Sequence, residues 1–333
     1  MNLPTIDQLE LKGKRVIVRG DLDVEIDEYL VVNDKRLRVL LPTVHKLQER
    51  DAAQIIIIGH RGRPEGNVKE ELSLEPLTDW FSNNLDKDIS FTKSLDNVPD
   101  NPIVLLENLR FWEGEENNDE EFAKQLSQLG DIYVNEAFGN SHREHASMVG
   151  LSRLLPHAAG LHLHQEIEQL SKVLEDPQRP LVSLLSGLKE DKLTYLEPLI
   201  QLSDTVLIGG RLPEYLGEDY KHEKVNMARL IQDKEDITLH SVEAFEAAIA
   251  SAKTILLSGP MGHYEEEGHR QGTQRVLQAV ANSSAYTVAG GGDTEGAIAL
   301  LGLEEQFDWI SIGGGAMLEF ICNGTLPAIK ALQ

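Results

Sequence analysis

Nine short apolar runs, most of them rich in β-branched residues, recur along the chain at intervals long enough for a helix. They are Arg15–Val18, Gln54–Ile58, Ile103–Leu106, Ile132–Val134, Leu181–Leu185, Thr205–Ile208, Thr254–Leu257, Tyr286–Ala289 and Trp309–Ile312. Continuous runs of this length suit strands covered on both faces, as in a parallel sheet between helices. The stretches between them include Leu37–Arg50, Asp119–Leu129, Val242–Lys253 and Thr273–Ala281, with apolar residues at three- and four-residue spacing. The expected class is α/β, with parallel sheets flanked by helices and right-handed crossovers. At 333 residues two domains are expected. Residues 161–176 read as one helix, and Pro177 and Pro180 mark a break before the next strand. The domain boundary is placed there.

Lys and Arg total 31 against 55 Asp and Glu, a formal net charge of −24. That balance argues against a nucleic-acid or anionic-membrane binder, because such partners need a positive field. It leaves room for a small anion wherever the few basic residues converge. The single cysteine, Cys322, excludes an intramolecular disulfide framework and a multi-cysteine metal site. The N-terminus has no apolar signal core, and no apolar run approaches the ~18 residues of a membrane span. A soluble, cytoplasmic protein is expected. Several familiar motifs fail. There is no P-loop and no G-x-G-x-x-G fingerprint, which leaves a dinucleotide-dependent oxidoreductase without support. His142 and His145 lack zinc-motif spacing. Asp21, Asp23, Glu25 and Asp27 resemble a calcium loop, but Ile26 and Val32 stand where glycine and glutamate are needed.

In open α/β sheets, ligands bind beyond the carboxyl ends of the strands. In the first half those ends carry RGD (Arg19–Asp21), GHRGRPEG (Gly59–Gly66), ENLRFWEGEE (Glu107–Glu116) and NEAFGNSHREH (Asn135–His145). Arg19, Arg61, Arg63, Arg110 and Arg143 all follow strands, and Arg36 and Arg38 precede a helix. Guanidinium groups match carboxylate and phosphate oxygens in a two-pronged fork, so a convergent set would bind a small polyanion. The second half ends its strands in SGLKEDK (Ser186–Lys192), GGR (Gly209–Arg211), SGPMGHYEEEG (Ser258–Gly268), GGGDTEG (Gly290–Gly296) and GGGAML (Gly313–Leu318). A glycine turn that opens a helix aims free N–H groups at an anion. In GGGDTEG, Asp293 or Thr294 is expected to cap that helix. Three such turns point to a nucleotide or polyphosphate site.

Taken in order, RGDLDV, NDKRLRVLLPT, GHRGRPEG, LLENLRFWEGEENNDEEFAKQL, YVNEAFGNSHREHAS, GPMGHYE, GGGDT and GGGAMLEF resemble phosphoglycerate kinase, from about Arg15 to Leu326. The resemblance implies two Rossmann-like α/β domains joined by a long helix: an N-terminal domain at 1–160, the helix at 161–176, a C-terminal domain at 177–315, and a segment at 316–333 returning to the first. It implies phosphoryl transfer between 1,3-bisphosphoglycerate and Mg·ADP, giving 3-phosphoglycerate and Mg·ATP, with Mg2+ as cofactor and the domains closing over a hinge. On this resemblance the N-terminal domain holds the acid through Asp21, Asp23, Arg36, His60, Arg63, Arg110 and Arg143. Catalytic roles fall to Arg36, Lys189 and Lys192. The nucleotide would meet Lys192, Gly209, Pro260, Glu265, Gly290, Gly291, Gly292, Asp293, Thr294, Gly313 and Gly314, with Asp293 as the metal ligand. A monomer is expected, with no nucleic-acid or membrane partner.

The sequence departs from the family pattern unevenly. Asp-x-Asn becomes Asp21-Leu-Asp23, which sets a second carboxylate beside an anionic substrate and calls for a compensating arginine. The lysine turn is one residue shorter; if it is helical, Lys189 and Lys192 still share a face. Asn before GPMG becomes Ser258, the valine after it becomes His263, and a threonine becomes Ile312. The stretch from Arg211 to Ala252 is considerably shorter than in the family, where it carries a strand and a helix beside the base. Two functional classes follow: a shortened working kinase with a more open base pocket, or a catalytically weak member that binds a phosphorylated acid or nucleotide as a sensor or scaffold.

Overall fold

The computed structural model describes residues 1–333. All nine apolar runs form strands. The first half contains β1 (Arg15–Arg19), β2 (Ile26–Asp27), β3 (Leu30–Val31), β4 (Gln54–Ile58), β5 (Ser90–Thr92), β6 (Ile103–Leu106), β7 (Ile132–Asn135) and β8 (His157–Ala159). The second contains β9 (Leu181–Gly187), β10 (Thr205–Gly210), β11 (Val225–Met227), β12 (Thr254–Ser258), β13 (Tyr286–Gly290) and β14 (Trp309–Ser311). Two six-stranded parallel sheets result, in the orders β5-β6-β4-β1-β7-β8 and β11-β10-β9-β12-β13-β14. Their strands are apolar throughout because helices cover both faces; every residue of β6, β7, β9 and β12 is buried.

Chain contacts divide the molecule into two units, residues 1–167 with 325–333, and residues 168–324. Each has its own core. Val16, Val18, Ile55, Ile57, Phe81 and Val134 centre the first. Val182, Leu184, Phe245, Ile255, Leu257 and Val276 centre the second. Full burial of such a side chain contributes about 1.5–3 kcal/mol. The expected helix at 161–176 is Leu161–Leu174, and the division falls within it, between Ile167 and Glu168. The returning segment begins at Thr325 rather than at residue 316. The helix Gly315–Asn323 stays with the second unit because its N-terminus opens directly from the turn after β14.

Two further expectations change. Leu37–Arg50 splits into a turn, Lys35–Arg38, and a helix, Leu41–Glu49. Pro42, which has no N–H, sits in the first turn of that helix, where none is needed. The shortened stretch after β10 keeps a short helix, Leu212–Leu216, and an edge strand, β11, so the strand expected to be missing is present in reduced form. No helix is long and apolar enough to cross a membrane.

In each sheet the first strand lies inside, flanked by β4 and β7 around β1 and by β10 and β12 around β9. The chain departs to one side and later resumes on the other. That reversal leaves a crevice at the carboxyl ends of the strands, where the first and last turns of neighbouring crossovers separate.

Candidate functional site

In the first unit, β1 delivers Arg19 and Asp21, β4 delivers His60, and β6 delivers Arg110. Asp21 is buried and lies 3.6 Å from the half-exposed Arg36 guanidinium. Arg36 also donates to the Asp23 carbonyl oxygen at 3.1 Å. The Asp23 carboxylate accepts the Gly62 N–H at 2.8 Å and stands 3.9 Å from His60 Nε2. Arg110 donates to Gly62 O at 2.7 Å and pairs with Glu116 at 3.2 Å. The second carboxylate of Asp21-Leu-Asp23 is thus met by a backbone N–H, with Arg61 and Arg110 near enough to act on its charge, while Arg36 pairs with Asp21. Asp21, Asp23, Arg36, His60 and Arg110 come together. Arg63 and Arg143 are exposed, and Arg143 is near enough to His145 to act on its charge.

The histidines of this cluster are not cations. Burial pushes the His60 pKa well below its ordinary value, and Arg19, Arg110, His145 and Arg36 add to the effect. Burial likewise pushes His145 down to about 3, with Arg110 and Arg19 beside it. A second proton on either ring would be desolvated and surrounded by positive charge.

Arg19 followed a strand as the basic residues of the site do, yet its side chain is fully buried. Its Nε–H donates to Ser147 Oγ at 2.9 Å, one Nη donates to Gly20 O, and the other meets His60 Nδ1 at 3.0 Å. Burial separates it from the arginines that can touch a ligand, and sequence order carries no sign of that difference.

In the second unit a cavity of about 510 Å³ opens at the carboxyl ends of β9, β12 and β13. Lys189, Lys192, Gly291, Gly292, Asp293, Thr294 and Gly314 line it, with Tyr195, Ser258 and Gly315. Two helices begin at its wall, Gly292–Leu300 and Gly315–Asn323. Gly291 and Gly314 precede them with φ of +110° and +53°, a backbone that L side chains rarely adopt. Both turns therefore present helix N-termini to the cavity. Neither Asp293 nor Thr294 caps the first helix, because Gly291 holds the cap position. Thr294 Oγ1 instead donates to Gly290 O at 2.9 Å and accepts the Gly259 N–H at 2.8 Å, tying the turns after β12 and β13 together.

The two lysines part company. Lys189 is extended and exposed, just before the 3-10 turn Glu190–Tyr195. Lys192 lies within that turn, donates to Ser186 O at 2.7 Å and approaches Ser258 Oγ at 3.4 Å. They do not share a helical face, because the turn begins after Lys189. Burial lowers the Lys192 pKa, while Asp293 and Asp191 oppose the shift.

A smaller cavity of about 100 Å³ shares Gly187, Leu188 and Asp293 with the first and adds Gly210, Arg211, Lys234, Glu235, Pro260, His263 and Glu265. Pro260 and Glu265 fall here as expected. Gly209 does not line it; the residue is buried, a Cβ there would strike Met261, and Gly210 takes the place. Gly290 and Gly313 are also buried behind the larger cavity rather than in its wall. Arg211, Lys234 and Glu235 were not expected. They come from the shortened stretch, whose sequence matches no motif.

A family model for phosphoglycerate kinase matches residues 6–234 and 215–323. The chain belongs to the phosphoglycerate kinase family. The phosphoglycerate kinase of Dictyoglomus turgidum is 35% identical over 384 aligned positions, covering 97% of this chain and 96% of that protein. That of Finegoldia magna is 34% identical over 395 positions, covering 100% of both. An alignment of 395 positions against 333 residues shows that this chain is the shorter of the two. Among solved structures, phosphoglycerate kinase from Coxiella burnetii superposes with a TM-score of 0.86 at 31% identity, covering 99% of each chain. Phosphoglycerate kinase from Pyrococcus horikoshii gives 0.85 at 26%, covering 99% of this chain and 98% of that one.

Proposed function

We propose that the chain transfers a phosphoryl group between 1,3-bisphosphoglycerate and Mg·ADP, giving 3-phosphoglycerate and Mg·ATP. The observation that carries this reading over a binding-only role is the cavity of about 510 Å³ in the second unit. Despite the shortening nearby, it keeps Lys192, Asp293 and two glycine-led helix N-termini on one wall.

In this reading the first unit holds the acid. Arg36 and Arg110 supply fixed positive charge, with the exposed Arg63 and Arg143 completing the set. Asp21 pairs with Arg36 and accepts a hydrogen bond from a substrate hydroxyl, while Asp23 steadies Arg36 through its carbonyl oxygen. The nucleotide phosphates lie along Gly291, Gly292, Gly314 and Gly315, with Lys192 as the cation nearest the transferring group and Lys189 free to follow it. Pro260 and Glu265 meet the ribose side. Phosphoryl transfer depends chiefly on positioning and charge neutralisation, which is what these groups provide.

Asp293 suits a magnesium ion that arrives with the nucleotide. Asp293 lines both cavities, and Mg2+ is usually bound by one or two carboxylates together with phosphate oxygens and waters. When bound, the ion would neutralise phosphate charge. The same proposal makes the protein a cytoplasmic monomer, working where phosphorylated acids and Mg·nucleotide meet.

A coupled assay of the purified protein with 3-phosphoglycerate and Mg·ATP, then Mg·GTP, tests it. Turnover with either nucleotide is the expected result. Binding of both substrates without turnover would return the chain to the sensor or scaffold reading.

A further inference from the structure

We propose that Arg19 is a positioning residue that presents His60 to an anionic substrate as a neutral Nε2–H donor. Four residues form a chain of hydrogen bonds whose directions are set by chemistry. Glu115 is fully buried and accepts from Ser147 Oγ at 2.5 Å and from the Ser147 N–H at 2.9 Å. Ser147 Oγ in turn accepts the Arg19 Nε–H at 2.9 Å. Arg19 Nη2 lies 3.0 Å from His60 Nδ1. A guanidinium has no acceptor, so Nδ1 must accept, and the ring proton is placed on Nε2.

That nitrogen points to the side where the substrate cluster lies, 3.9 Å from the Asp23 carboxylate. The charged and titratable groups around the ring are Arg19 from β1, Asp23 from the loop after it, Arg36 from the Lys35–Arg38 turn, Arg110 from the turn after β6, and His145. Cations outnumber the single carboxylate, so the ring has every reason to stay neutral. Glu115 and Ser147 hold the guanidinium from the opposite side, which leaves it one orientation. The residue that looks like one more anion-binding arginine thus acts through another side chain.

The inference rests on the reading that the first unit holds the acid, but its central claim can be measured without any ligand. Long-range proton–nitrogen NMR of the full-length, 15N-labelled protein should show His60 as the Nε2–H tautomer, with no titration across about pH 5–8. Arg19→Lys keeps the charge but loses the fork. It should mix the tautomers and raise the KM for 3-phosphoglycerate about tenfold, with kcat and nucleotide KM nearly unchanged. Ser147→Ala should give a smaller shift in the same direction. His60→Gln, which keeps a neutral N–H donor, should retain more activity than His60→Arg. A wild-type His60 that carries its proton on Nδ1, or titrates near its ordinary pKa, overturns the proposal. So does an unchanged tautomer and KM in Arg19→Lys or, if that variant does not fold, in Ser147→Ala. Absence of 3-phosphoglycerate binding in the wild type, with the tautomer as stated, would reject the acid-site reading instead and leave the ring assignment standing.

Discussion

The two units are built on sheets of the same kind and, on the proposed function, handle anions in opposite ways. The first relies on side chains: guanidinium groups from the Lys35–Arg38 turn and from the segments after β4, β6 and β7, with carboxylates and buried histidines among them. The second relies on the main chain: two helices that start from glycine, with one partly buried lysine between them. A charged side chain can be aimed and withdrawn, whereas a helix N-terminus is fixed by the fold. The first arrangement suits a small acid that must be recognised from several directions. The second suits a polyphosphate that can lie along a wall.

The comparison can be broken most decisively at Arg36. Arg36→Ala should lower turnover by about a thousandfold or more, as loss of a preorganised transition-state charge does. Nucleotide affinity, read by calorimetry, should stay nearly unchanged, because Arg36 lies in the other unit. Comparable loss of both would show that the division of labour is false.

Lys192 offers the next largest effect and a test of the second unit. Lys192→Met should reduce kcat by about a hundredfold. Burial already lowers the lysine pKa, so the ammonium loses its proton at a lower pH than an exposed lysine would. The alkaline fall in kcat should therefore begin below the ordinary lysine value of 10.5. Lys192→Arg, which keeps its proton throughout, should move that limb upward. An alkaline limb that is the same in both proteins would remove Lys192 from the role.

The smallest effect should come from Asp23→Asn. The amide oxygen can still accept the Gly62 N–H, while one negative charge leaves the neighbourhood of an anion. The KM for 3-phosphoglycerate should fall by about two- to fivefold, and more at low salt than at high salt. A rise in KM would mean that the carboxylate is itself a substrate contact.

Much of this was legible in advance. The nine apolar runs predicted nine strands because burial on both faces leaves no polar alternation to confuse the pattern. The arginines of the first unit were legible because chemistry there resides in residue type. What escaped had little local signal. β2 and β3 form a hairpin whose turn residues, Glu28 and Tyr29, both have positive φ, without the Asn-Gly pair that usually announces it. β5, β8 and β11 are three-residue strands at or near sheet edges, placed by tertiary pairing. At the cavity wall the sequence named the right glycine clusters but not which members face outward. Gly290, the last residue of β13, and Gly313 end buried while Gly291 and Gly314 face the cavity.

The last nine residues of the chain carry a consequence of their own. Ala328 packs with Ala137, Met148 and Val149, and its N–H donates to Ser141 O at 3.0 Å. That packing abuts Ser147, the middle link between Glu115 and Arg19. During synthesis, every residue of the second unit leaves the ribosome before the first can be finished. On the proposed function, a truncated product would still own the glycine-lined cavity but lack a completed first unit, and so would occupy nucleotide without spending it.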